Sequence, residues 1–599
     1  MTLSSKIKHV TEGALKALYP DTDINISMIS VNQTKPEFTG DYTVVLFPFI
    51  KLLRQKPDAI GNQIGEYLLA NSDLFSAYQI VSGFLNLTIR DEYWVSFIQN
   101  EYTNQQYGNG STNATRVMIE YSSPNTNKPL HFGHLRNIFL GAAISEVLKA
   151  NGKEVIKANL INDRGIHICK SMIAWQRYGN GATPESTGIK GDHLVGDYYV
   201  KFNDIYKEEI ALLIESGMDE KLAEKEAPIM KAAQDMLRQW EAGDKEVRDL
   251  WETMNGWVYK GFEVTYKKLG VTFDKMYYES ETYLLGKQIV ENGLSKGVLF
   301  KKTDGSVWID LKDDGLDEKL LLRGDGTSVY MTQDLGTAKL KYDECKLDQS
   351  VYVIADEQNY HIAVLKLILK KIGEPCADGI YHLSYGMVEL PTGRMKSREG
   401  TVVDADDMAS EMIRLAQEQT EASGKTVGFT TEELAALYET IGMGALKFYL
   451  LRVDPKKKMI FDPKESIDLH GFTATFIQYA HARICSILRK EQIPMAPETN
   501  VFAGFKQSAP LLPLETKIIL ALEEYPAILA DAGSEFNPSA ICNYSFQLAQ
   551  MFNTFYDAHS ISKAESEEKK QLRLMIIVMT ASVLRHAMNL MGIRLPEKM

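Results

Sequence analysis

The sequence predicts a multidomain α/β plus all-α protein: a parallel-sheet domain with a helical insertion, a small α+β domain before it and a helical bundle after it. Three observations carry this expectation. Residues 116–162 read as strand, helix, strand at the spacing of a βαβ unit, which builds parallel sheets. Residues 175–260 are rich in Glu, Lys, Ala and Met with helical periodicity, and from Met408 onward nearly every stretch is helical in pattern. A chain of 599 residues has room for about three to five domains.

Taken in order, residues 1–110 form the first domain. They mix a helix-like stretch, 50–69, with a strand-like one, 82–89, and end in a polar, Gly-rich linker at 107–114. The second domain spans 115–400. Its first strand is the apolar run 116–120, followed by a Ser/Pro/Asn turn, a helix from about 133 to 150 and a strand at 155–162. The insertion at about 175–320 reads as helical and charged, and the apolar run 351–355 resumes the sheet. Residues 401–465 read as connecting helices and 466–599 as the bundle. There, 472–490, 544–559 and 571–591 carry apolar residues at i, i+3, i+4 and i+7; Leu548, Phe552 and Phe555 show the stripe.

The formal net charge of −13 argues against a chain that coats nucleic acid or binds an anionic membrane. A local basic face can still meet RNA. Cys169, Cys345, Cys376, Cys485 and Cys542 form no CxxC pair, so neither a structural metal nor a disulfide framework is expected, and a reducing compartment fits. The first residues have no signal-peptide core, and the longest apolar run, 574–584, is too short to span a bilayer. A cytoplasmic protein with no membrane contact is the expectation.

The chemistry concentrates at residues 120–134. His131, Gly133 and His134 form HxGH at the entrance to a helix, where free N–H groups favour phosphate. Two imidazoles can donate to phosphate oxygens, and Gly133 leaves the backbone open to a flat base. The bland reading is a pair of capping or core histidines; the strand before and the helix after favour the phosphate reading. Lys128 reads either as a solvated loop lysine or as a cation for ATP phosphates. A second basic loop, Gly393-Arg-Met-Lys-Ser-Arg-Glu-Gly400, is by itself a surface turn.

Together the two motifs resemble the HxGH signature and the KMSKS loop of class I aminoacyl-tRNA synthetases. The resemblance narrows to the arginyl-tRNA synthetase family on Ser-Ser-Pro-Asn at 122–125 with Lys128 before HxGH, and on Leu160-Ile-Asn-Asp-Arg-Gly165. It extends through 325–334, Gly444-Ala-Leu-Lys-Phe-Tyr, Gln478-Tyr-Ala-His-Ala-Arg-Ile484 and the closing residues 591–599, and so covers nearly the whole chain. It implies a Rossmann-like catalytic domain, stem helices, a C-terminal helical-bundle anticodon-binding domain and an N-terminal domain that touches the tRNA elbow, where Gly83-Phe-Leu-Asn86 carries the likeness.

The resemblance also implies roles. Lys128, His131, His134 and Arg398 are the expected catalytic set. Gly133, Met395, Lys396 and Ser397 join them in binding ATP, which comes with Mg²⁺. The loop departs from the superfamily pattern at Ser397, where a lysine is usual, and Lys128 is the expected substitute. Glu120, Ser123, Asn125, Tyr330, Asp334 and Gln358 are the expected arginine ligands; Tyr330 and Asp334, four apart on a helix, share a face. A guanidinium, with five fixed donors, calls for such carboxylates and acceptors. Tyr479 and Arg483 are expected to meet tRNA(Arg) by stacking or phosphate contact. The implied enzyme is a monomer that joins L-arginine to tRNA(Arg) at the expense of ATP. Three alternatives stand beside it. A small nucleotidyltransferase also uses HxGH but needs neither flanking domain. A cysteinyl enzyme needs zinc ligands that these cysteines do not supply. A non-catalytic paralog has no need to keep Lys128, His131, His134, Tyr330 and Asp334 together.

Overall fold

Two residues with positive φ, Ser82 (51°) and Gly83 (85°), make the tight turn that starts the first sheet. They join β3 (Phe75–Val81) to β4 (Phe84–Ile89), and β1 (Val31–Gln33) and β2 (Tyr42–Val45) complete an antiparallel sheet in the order β1-β2-β4-β3. The structure, a computed structural model, describes residues 2–391, 403–424, 426–502, 504–506 and 509–599. Around the sheet lie α1 (Leu3–Leu18), α2 (Phe47–Leu53), α3 (Pro57–Asn71) and α4 (Asp91–Glu101). The single helix expected over 50–69 is broken. Arg54 turns left-handed at φ 53°, and Pro57 starts α3 where its missing N–H costs nothing.

The sheet that carries the chemistry is parallel, in the order β12-β11-β5-β6-β7. β5 (Arg116–Glu120), α5 (Phe132–Ala150) and β6 (Glu154–Ile161) are the expected βαβ unit. After β6 come α6 (Ile166–Tyr178) and a helical run: α7 (Pro184–Thr187), α8 (Gly191–Glu215), α9 (Glu220–Glu226), α10 (Pro228–Ala242) and α11 (Lys245–Leu269). The helical insertion stops there, which corrects its expected extent to about 320. β7 (Lys275–Tyr278) belongs to the parallel sheet. Beyond α12 (Glu279–Thr282) and α13 (Gly286–Ser295), β8 (Leu299–Lys301), β9 (Val307–Ile309) and β10 (Lys319–Leu322) form a small antiparallel sheet with its own apolar core. These strands have three or four residues each, too few for the alternating pattern to stand out in the sequence.

The chain returns through α14 (Tyr330–Cys345) to β11 (Gln349–Ala355), then α15 (Asn359–Ile372) and β12 (Ile380–Tyr385). β11 lies on the opposite side of β5 from β6. The strand order therefore switches between β5 and β11, and the crevice at such a switch, beyond the carboxyl ends of the strands, is where open α/β sheets take ligands. β13 (Val388–Glu389) pairs in parallel with β14 (Met459–Ile460).

Helices follow: α16 (Ala405–Ala422), α17 (Thr431–Leu451), α18 (Pro463–Ser466), α19 (Ala474–Lys490), α20 (Pro513–Ser534), α21 (Ser539–Ala558) and α22 (Glu567–Leu590). By length and composition α17 could cross a membrane, but 72% of its apolar window is buried inside the protein, so it is a core helix. The first domain rests on the bundle. Glu523 of α20 accepts hydrogen bonds from the Leu3 amide at 2.7 Å and the Tyr42 hydroxyl at 3.3 Å. The expected linker is docked as well, with the Tyr107 hydroxyl donating to the Leu522 carbonyl at 2.8 Å.

Arg136, on the first turns of α5, is fully buried. Its fork donates to the main-chain carbonyls of Gly386, Lys457 and Asp454. Burial lowers its pKa to about 10, which leaves it charged at neutral pH. One guanidinium thus fastens the start of the HxGH helix to the two segments that lead into β13 and β14. Arg136→Lys keeps the charge but cannot span three carbonyls. It should cost about 2–3 kcal/mol of stability, measured as a lower thermal midpoint.

Candidate active site

After β5 the chain reverses over residues 121–125. Ser122 and Ser123 both lie in the left-handed region, at φ 73° and 45°. Four side chains hold them there. Asn137 Oδ1 accepts from the Ser122 amide at 2.6 Å, and Asn159 Oδ1 accepts from the Ser123 amide at 3.0 Å. Asn162 donates to the Ser123 carbonyl at 3.2 Å, and the Tyr266 hydroxyl meets Ser122 Oγ at 2.6 Å. Asn137, Asn159 and Tyr266 carry no motif signal; only the fold brings them here.

The turn delivers Lys128 and HxGH to the start of α5, whose N-cap is His131. The His131 amide donates to His134 Nδ1 at 3.0 Å, so the proton of a neutral His134 sits on Nε2. The two rings are 3.8 Å apart. Burial, with Lys128 nearby, pushes the His131 pKa down to about 4. Burial and the neighbouring His131 hold His134 well below its ordinary value. Both rings are therefore neutral N–H donors at neutral pH. His131 Nδ1 is buried towards the helix start, where it meets the His134 amide in a loose capping box, so its N–H too lies on Nε2 and suits an oxygen-rich ligand such as a phosphate. A Cβ on Gly133 would meet the His131 ring at 3.0 Å. The glycine makes room for the histidine, a simpler reason than the flat base expected from the sequence.

The basic loop with Met395, Lys396, Ser397 and Arg398 lies outside the described residues. The chain after it is pinned to the HxGH segment: the Phe132 amide donates to the Val403 carbonyl at 2.8 Å and the Ala405 amide to the Leu130 carbonyl at 3.0 Å. Between these, Asp404 caps α16, accepting from the Asp406 amide at 2.7 Å. Its other oxygen is 3.1 Å from His193 Nε2, which raises the histidine's pKa. His193, Asp404 and Asp406 could converge on a cation, but the Lys190 ammonium already pairs with Asp406 and Asp192 and supplies that charge.

Beside the turn opens a cleft of about 730 Å³. Asn125 and Asn162 lie on one wall, Glu279 on a second, and Tyr330, Gln333, Asp334 and Thr337 of α14 on a third. Tyr330 is 78% exposed at the mouth. Asp334 Oδ2 is 2.5 Å from His361 Nε2. Glu279 was not singled out from the sequence, because Tyr-Glu-Ser-Glu reads as an ordinary polar turn. Burial raises its pKa to about 7; Arg164 opposes the shift, while Asp163 and Asp334 add to it. Arg164 also lines the cleft, paired with Glu241 at 2.8 Å and stacked 4.0 Å over the Tyr283 ring. Of the expected arginine ligands, Asn125, Tyr330 and Asp334 share this cleft and Ser123 lies in the turn beside it. Glu120 does not line it; its carboxylate pairs with Lys341. Gln358 is exposed in the turn after β11 and does not line it either.

On α19 the Arg483 guanidinium lies 5.1 Å over the Tyr479 ring and equally close to Tyr556, and it donates to Asn553 at 2.8 Å. His481, between them in sequence, faces the core and bonds the Pro596 carbonyl at 3.0 Å. Lys456, Lys457 and Lys458 are exposed.

The imidazole assignment has a direct consequence. In histidine-labelled protein, neither His131 nor His134 should titrate between pH 5.5 and 8 by NMR, whereas free histidine titrates at about 6.5.

The comparisons with known proteins agree with one another. Residues 98–462 match the family model of class I (R) tRNA synthetase catalytic domains, 477–599 that of the DALR anticodon binding domain, and 3–89 that of the arginyl tRNA synthetase N-terminal domain. The arginine–tRNA ligase of Amoebophilus asiaticus (strain 5a2) is 49% identical over 599 residues, and that of Bacteroides thetaiotaomicron is 50% identical over 603, each covering 100% of both chains. Among solved structures, Thermus thermophilus arginyl-tRNA synthetase superposes with a TM-score of 0.80 at 24% identity over 100% of both chains, a likeness of fold. The Plasmodium falciparum arginyl-tRNA synthetase gives 0.76 at 18% identity, covering 100% of this chain and 99% of that one. With relatives half identical from end to end and a catalytic-domain match over more than half its length, the chain belongs to the class I arginyl-tRNA synthetase family.

Proposed function

We propose that the cleft beside the turn at 121–125 is where this chain, an arginine–tRNA ligase, activates L-arginine with ATP and passes it to tRNA(Arg). The observation that carries the reading is the meeting of Asn125, Glu279 and Asp334 on the walls of one cleft, with Asn125 in the turn that leads on to the two neutral imidazole donors of HxGH. Asp334 takes the guanidinium in paired hydrogen bonds, Glu279 adds a second carboxylate and Tyr330 closes the mouth. Ser123 and Asn125 orient the carboxylate and amino end, with Gln358 approaching from the turn after β11.

ATP enters as its Mg²⁺ complex along the first turn of α5. A carboxylate oxygen of arginine attacks the α-phosphorus, the bond to the leaving pyrophosphate breaks, and arginyl-adenylate forms. Lys128, the N–H groups of His131 and His134, and Arg398 with Met395, Lys396 and Ser397 of the basic loop stabilise the charge that builds on the phosphates. A hydroxyl of the terminal tRNA ribose then attacks the arginyl carbonyl, loses its proton and expels AMP. Tyr479 and Arg483 meet the anticodon arm. Phe84, 38% exposed and set edge-on 5.3 Å from the exposed Phe47, offers the first domain's stacking surface for the tRNA elbow. The same reading has the enzyme work as a cytoplasmic monomer; its five buried free cysteines suit a reducing compartment.

ATP–pyrophosphate exchange with each of the twenty amino acids, with and without tRNA, tests the reading. Exchange is expected with arginine alone and with tRNA present; exchange with another amino acid would overturn the pocket assignment. Asp334→Asn should raise the arginine KM by about a hundredfold or more. The pH dependence follows from Glu279. Below about pH 7 its carboxyl is protonated in the free protein and must lose that proton to pair with a guanidinium. The arginine KM should therefore fall as pH rises from 6 to 8, and Glu279→Gln should flatten that slope while raising KM throughout.

A further inference from the structure

Glu120 closes β5, and Lys341 lies on α14. Their side chains form an ion pair in the interior, with the lysine 2% and the glutamate 8% exposed. The Lys341 ammonium also stands 5.5 Å from the centre of the Tyr277 ring and 5.1 Å from that of Tyr352. Tyr277 comes from β7 and Tyr352 from β11, where it is the register partner of Glu120. One ammonium thus touches three strands of the parallel sheet.

Burying such a pair gives up the hydration of two ions, and well-packed apolar replacements are often as stable. Stability alone is a poor reason for it; placement is a better one. Residues 330, 334, 337 and 341 fall on one stripe of α14. Tyr330, Asp334 and Thr337 line the cleft, and Lys341 continues the stripe beneath it. On the other side, Glu120 runs directly into the turn that presents Ser123 and Asn125. The pair therefore joins the α14 wall to the turn. A slip of α14 by one residue would shift it about 1.5 Å and rotate it by about 100°, taking Asp334 off the cleft.

We infer that Lys341, acting through Glu120, is a positioning residue for the arginine pocket, and that Glu120 serves the amino acid from behind the wall without touching it. This rests on the reading of the cleft as the arginine pocket.

The test is pyrophosphate exchange with arginine and ATP varied separately, together with thermal midpoints. Lys341→Met strands a carboxylate in the interior, so it is measured beside Glu120→Gln and the double variant, which buries no charge. Each of the three should raise the arginine KM by about tenfold or more and leave the ATP KM within about twofold, with the double variant no worse than either single one. Lys341→Arg, which keeps the cation, should stay within about threefold of the parent in arginine KM. If only the thermal midpoint falls, or both KM values move alike, the pair is merely structural and the inference is overturned. If the two single effects add in the double variant, Glu120 meets arginine on its own and the inference is likewise overturned. Asp334→Asn separates the two readings: an unchanged arginine KM there sinks the pocket assignment, whatever the Lys341 variants do.

Discussion

Ser122 and Ser123 hold adjacent left-handed conformations that a residue with a Cβ adopts at a cost of roughly 1–3 kcal/mol each. The site depends on that turn. It lets the chain leave β5, cross the top of the sheet and enter α5 within a dozen residues, which sets Asn125 in the wall of the cleft and His131 at the N-cap of α5. Such a conformation persists only where its surroundings over-determine it. The three asparagines and Tyr266 do so, each from a different element: α5 (Asn137), β6 (Asn159), the loop after β6 (Asn162) and α11 (Tyr266). The insertion helix α11 therefore takes part in holding the turn.

Charge is handled locally. The protein carries an excess of acid overall, yet among the described residues the proposed phosphate side offers neutral imidazole donors and one lysine. Two imidazoles kept neutral by burial can donate to phosphate oxygens without binding the triphosphate too tightly in the ground state, which leaves the added stabilisation for the transition state. Across the cleft, burial leaves Glu279 half-protonated near pH 7, with the Asp163 and Asp334 carboxylates adding repulsion. A cation arriving there resolves the repulsion.

Much of this was legible in the sequence, for definite reasons. The βαβ unit shows because β5 is buried, both β5 and β6 carry Val and Ile, and one long helix separates them. HxGH shows because phosphate chemistry needs those residue types at that spacing. Tyr330 and Asp334 stand out through the family resemblance, and the helical spacing adds only that they share a face. What was hidden depends on pairing across distance. Nothing near Lys341 in sequence marks it as the partner of Glu120, 221 positions away. Asn137 and Asn159 look like incidental polar residues in a buried helix and strand. The antiparallel sheet β8–β10 reads as helix in the sequence because its strands are too short to show alternation and stand between helical segments.

The bond from the Leu3 amide to Glu523 joins residues 520 positions apart. On a ribosome adding about 5–20 residues per second, the seat for the first helix is made roughly half a minute to two minutes after the helix itself. For that interval the first domain must wait with its docking face uncovered. Any chaperone that meets the nascent chain meets it in this open form. Docking the first helix thus closes a ring of 520 positions, in which a late part of the chain receives an early one.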